Sequence, residues 1–169
     1  MLEIQQYQWA TAGEAPILVV DGDDVIAHVY RPEYAPVFCA APQMLDLLES
    51  LSESLSDASM VPAFREAIDE VRLVLLGVRQ QQSELEATND ATVTIMDGVD
   101  LIAYLQQPTY APVLAAGFKM LELLQQLSTA ATKPSDPVTS RVMDQARDLE
   151  LAIRVQQSSV AHTRGVTIH

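Results

Sequence analysis

Apolar positions along this chain fall into two kinds of run, and the runs come twice in the same order. Residues 17–20 (Ile-Leu-Val-Val) and 25–30 are short and rich in β-branched side chains, and they flank Asp21-Gly22. Residues 92–96 and 101–105 flank Asp97-Gly98 in the same way. Such runs around Asp-Gly predict β-hairpins, because glycine supplies the positive φ of a tight turn. Downstream the period changes. Met44, Leu47, Leu48, Leu51 and Leu55 recur at helical spacing, as do Met120, Leu123, Leu124 and Leu127. A further stripe follows in each half: Phe64, Ile68, Val71, Leu75 and Val78, then Val142, Ala146, Leu149 and Ile153. Prolines stand where helices begin, at Pro36, Pro112, Pro62 and Pro137. Pro42 is expected to break or restart the first helix. Polar linkers are expected at residues 52–59 and 128–136.

The two halves are copies. Residues 21–52 laid over 97–128, at an offset of 76 with no gap, agree at 17 of 32 positions. The unit reads ββαα. The fold expected is therefore α+β: tandem ββαα repeats, an antiparallel sheet of at least four strands, and four helices packed on one face. An approximate two-fold axis would relate the units, as in a fused dimer. The repeats divide at 1–82 and 83–169. A copy of about 80 residues buries a thin core, so the two are expected to share one. An extra strand is expected at residues 4–10; residues 83–88 are a much weaker candidate for its counterpart, with a helix tail as the alternative. The tail at 165–169 carries a strand-like Val-Thr-Ile.

Strand alternation assigns faces. Ile17, Val19, Val25, Ala27 and Val29, with Val93, Ile95, Leu101, Ala103 and Leu105, form the expected helix side. Leu18, Val20, Ile26, His28 and Tyr30, with Met96, Ile102 and Tyr104, then form an outer face too apolar for water. That face is the expected interface, most simply between two identical chains.

The segment running from Trp9 through Val19–Gly22 and Ile26–Val29 to Ala40–Pro42, Met44, Leu45, Leu47 and Leu48 resembles short uncharacterised phage and prophage proteins. Those carry a tryptophan-containing start, a hairpin and an Ala-Ala-Pro-x-Leu-Leu helix. The resemblance covers nearly all of the first copy. It implies a mobile-element setting and no particular reaction.

Charge narrows the partners. The net charge is −13, from 23 acidic and 10 basic residues, which disfavours direct binding to nucleic acid or to an anionic membrane. No apolar run approaches the roughly 18 residues of a membrane span. Cys39 is the single cysteine, so no intrachain disulfide forms, and a cytoplasmic setting fits.

Candidate chemistry is sparse. Asp21, Asp23 and Asp24 crowd one turn but lack the distant glutamate of a calcium loop, and the second copy has Val99 at the middle position. They read as turn residues, and no metal or other cofactor is expected. His28 is matched by Tyr104 and Cys39 by Ala115, so both read as structural. No nucleophile elbow, phosphate loop or dinucleotide fingerprint is present. Tyr34 and Tyr110 recur within Pro-x-Tyr-Ala-Pro. They are the candidate ligand-binding pair, lining two equivalent pockets for a nucleotide-like molecule, against the simpler reading in which each packs and bonds to a neighbour. The leading expectation is a non-catalytic accessory protein acting through protein contacts, as a homodimer or on another protein. A small-ligand binder comes second, and an enzyme whose site is assembled in an oligomer third.

Overall fold

The computed structural model describes residues 2–6, 16–54, 62–86, 93–130 and 137–163. Five strands form one antiparallel sheet: β1 (Leu2–Gln6), β2 (Ile17–Asp21), β3 (Asp24–Val29), β4 (Val93–Asp97) and β5 (Asp100–Leu105), in the order β1-β2-β3-β5-β4. Four helices complete it: α1 (Ala35–Ser54), α2 (Pro62–Glu86), α3 (Ala111–Ala130) and α4 (Pro137–Thr163). The ββαα order occurs twice, and the helices cover one face. The strand expected at 4–10 starts earlier, at Leu2, and is described to Gln6; residues 7–10 and the tail 165–169 lie outside the described residues. The counterpart stretch, from 83 onward, is helical to Glu86.

Each hairpin turns on glycine. Asp21 pairs with Asp24 and Asp97 with Asp100, so each aspartate before the glycine ends its strand rather than sitting in the turn. Gly22 and Gly98 take φ of 61° and 60°, a region that side-chain-bearing residues rarely enter. Short 3-10 turns at Pro32–Tyr34 and Pro108–Tyr110 then lead into α1 and α3, where the prolines occupy first-turn positions with no amide to leave unpaired.

The core is a single cluster between sheet and helices. Phe38, Met44, Leu48 and Leu51 of α1 meet Leu114, Met120, Leu123 and Leu127 of α3 within it. Ile68, Val71, Leu75 and Val78 of α2 join it, with Val142, Ala146 and Ile153 of α4. The stripes read from the sequence are thus the buried faces; the side chains of Leu55 and Phe64 lie outside the described residues. Helix α1 packs on α3 between the copies, α2 packs more on α3 than on α1, and α4 more on α1 than on α3. Each copy's second helix therefore lies chiefly on the other copy's first.

Two expectations are corrected. Pro42 neither breaks nor restarts α1, which runs unbroken from Ala35 to Ser54. Phe38, Ala41, Met44 and Leu48, buried on both sides of the proline, hold the helix to its course and offset the hydrogen bond that its missing N–H removes. The second correction is on the sheet. Val19 pairs with Ala27 but Val20 with Val25, and Ile95 pairs with Ala103 but Met96 with Leu101. Ile26 and Ile102 are the extra residues of two equivalent β-bulges, which break the alternation. Both are turned into the core, 1% and 2% exposed, while Val25 and Leu101 fall outside the core cluster. Strict period-two reading had these two pairs on the opposite faces.

Candidate functional site: the seam between the copies

The two copies join through β3 and β5. Their register places His28 opposite Tyr104, Ala27 opposite Leu105 and Val29 opposite Ala103. At an offset of 76, exchanging the copies maps these pairs onto themselves, which marks an approximate two-fold axis through the His28–Tyr104 pair. The same exchange relates two backbone bonds of 2.9 Å, from the Tyr30 amide to the Ile102 carbonyl and from the Gln106 amide to the Ile26 carbonyl. The bulged isoleucines thus serve the seam with their carbonyls and the core with their side chains.

A second exchanged pair clasps the hairpins. The Tyr34 hydroxyl donates to Asp97 Oδ2 at 3.0 Å, and the Tyr110 hydroxyl donates to Asp21 Oδ2 at 3.4 Å. Each tyrosine of the Pro-x-Tyr-Ala-Pro motif therefore holds the aspartate at the other copy's turn. Burial raises the pKa of Tyr34, and the bond to Asp97 and the charge on Asp97 add to it. Burial likewise raises that of Tyr110, followed by the charge of Asp21 and the bond to it. The Tyr34 ring also meets Phe118 of the second copy edge-on, 4.7 Å between centroids. Arg31 adds a cross-copy ion pair with Asp100 at 2.7 Å. The two clasps account for the recurrence of both Asp-Gly and Pro-x-Tyr. The residue pattern did not reveal that they meet, because the partners lie 63 and 89 positions apart.

On the face of the sheet away from the helices, His28 Nε2 lies 2.9 Å from Gln106 Nε2 and its ring is edge-on to Tyr104, 6.2 Å between centroids. Around this pair Tyr30 (45%), Met96 (49%), Leu101 (38%) and Tyr104 (37%) are exposed. Leu18 and Val20, expected to share an interface here, are already buried within the chain, as are Ile26 and Ile102 on the opposite side. The surface that remains is His28, Tyr30, Met96 and Tyr104 from the expected set, with Val25 and Leu101 added by the bulges.

A groove of about 650 Å³ lies beside β4. Leu85 of α2, Val93, Ile95 and Met96 of β4, and Ala111, Pro112 and Ala115 of α3 give it an apolar lining, with Gln81, Glu84 and Thr94 as its polar part. Among the described residues, no three histidine, cysteine or acidic side chains gather where a metal could be held. Cys39 is half-buried and packs on the core. No described helix is long and apolar enough to cross a membrane. No family model, curated protein or solved structure matches the chain.

Proposed function

We propose that this chain is a non-catalytic accessory protein of phage or prophage type, working through protein contacts, and that two copies associate through the outer face of the sheet. The observation that carries this reading is the apolar surface on the outer face of β3, β5 and β4, where Tyr30, Met96, Leu101 and Tyr104 are exposed. The water-facing side of an antiparallel sheet is ordinarily polar, and clustered apolar side chains there mark contact surfaces. A nucleotide-like ligand at Tyr34 and Tyr110 gains no support, since both hydroxyls already donate to carboxylates whose charge would repel phosphate. The single cysteine and the acidic surface suit a cytoplasmic setting.

Light scattering on the purified chain at micromolar concentration tests self-association. The reading expects a dimer mass for the wild type and a monomer mass for Leu101→Glu combined with Met96→Glu, with an unchanged circular dichroism spectrum. A monomeric wild type refutes self-association, and a double variant that keeps the dimer mass places the contact elsewhere.

A further inference from the structure

The internal duplication supplies a template for its own incomplete half. At one end of the sheet β1 pairs antiparallel with β2, setting Leu2 against Asp21, Ile4 against Val19 and Gln6 against Ile17, and it also packs on α1. The equivalent edge at the other end belongs to β4, and among the described residues no strand pairs with it. The chain that would supply the counterpart of β1 is instead the last turns of α2.

The surface has kept its character without its cover. Ile17 and Val19, in the strand that β1 pairs with, are buried, while their counterparts Val93 and Ile95 are half-exposed and still apolar. Cys39 is half-buried and its counterpart Ala115 is exposed. These residues form the groove beside β4, whose floor is apolar and whose walls are α2 and α3. An open strand edge with an apolar trough beside it is the geometry in which an extended peptide adds as a further strand: backbone bonds give affinity, and alternate side chains give selectivity.

We infer that the edge of β4 with which no described strand pairs, together with its groove, receives a short extended segment of a partner protein, bound antiparallel as a sixth strand. The template fixes its chemistry. It spans about five residues, the length of β1, and carries apolar side chains at the first and third, opposite Asp97 and Ile95, as Leu2 and Ile4 stand opposite Asp21 and Val19. This deepens the protein-contact reading; the groove shares Met96 with the outer face, but Ala111, Pro112 and Ala115 belong to the groove alone, so a response at Ala115 separates the two.

The test is a nuclear magnetic resonance titration of the full-length, isotope-labelled chain with an acetylated, amidated peptide of the β1 sequence, Leu-Glu-Ile-Gln-Gln. The result expected is saturable movement of the amides of Val93–Asp97 and Ala115. A peptide with serine at its first and third positions should bind at least about tenfold more weakly, as should the wild-type peptide with the groove variant Ala115→Glu. Ala115 is exposed, so that variant keeps the fold, and circular dichroism checks it. Absence of movement at β4 at millimolar peptide overturns the inference. So does movement confined to β2, which would mean exchange with β1. Concentration-dependent movement at Ala115 without peptide also overturns it, by making a second copy the occupant. Dimer mass by light scattering reports the outer-face contact separately.

Discussion

Tyr34 and Tyr110 act as a pair of clasps, each tying one copy's helix start to the other copy's hairpin turn. Removing one hydroxyl with Tyr34→Phe keeps the ring on Phe118 and should cost about 1 kcal/mol in urea unfolding. The clasps also carry a pH signature. Both tyrosines have a raised pKa in the fold, so the neutral phenol is the favoured form there. Their contribution is whole below the ordinary tyrosine value of about 10 and is lost as pH rises through the higher folded value. Unfolding midpoints should therefore fall on the alkaline side, and less steeply in the Tyr34→Phe, Tyr110→Phe double variant. An equal slope in both proteins would detach the tyrosines from that loss. Ile26 and Ile102 give a second prediction at this scale. Because the bulges turn both into the core, Ile26→Glu should unfold the chain rather than dissociate it, whereas Leu101→Glu should leave it folded. Circular dichroism separates the two outcomes.

At the scale of elements, α1 and α3 pack tightly where the copies differ by one methyl group. A Cβ built on Gly117 would lie 3.2 Å from Val37 Cγ1 and 3.6 Å from Ala41 Cβ, and Ala41 is Gly117's own counterpart. Gly117→Leu should overpack this crossing and cost about 1–3 kcal/mol, measured by thermal or urea unfolding. A leucine variant as stable as the wild type would mean that the helices separate at no cost. Pro42→Ala should act in the other direction, raising the melting temperature, since it restores a helical amide donor. Hairpins, helix starts and apolar stripes were legible in the sequence because each depends on local spacing. The gapless repeat made them more legible still, by showing every element twice. The bulges were not legible: an apolar run such as Val25-Ile26-Ala27 fits either face, and register is decided by pairing with a neighbouring strand. Pro42 misled for a related reason, since local preference says break and the packing on both sides says continue. On the candidate surface, strict alternation could not show that the bulges turn Ile26 and Ile102 into the core.

Across the whole molecule, the duplication has produced interlocked rather than adjacent halves. The sheet is continuous through β3 and β5, and α2 and α4 each lie mainly on the other copy's first helix. A half taken alone would expose the face of α1 or α3 that its sister covers, leaving a core too thin for a chain of about 80 residues. The division at 82 also falls inside α2, which continues to Glu86, so a cut after residue 90 is the fair one. The most direct test of the interlocked fold is to express residues 1–90 and 91–169 separately and follow thermal unfolding by circular dichroism, alone and mixed. The interlocked fold predicts no cooperative transition in either half, with one regained on mixing. Two halves that each melt cooperatively near the full-length midpoint would contradict it.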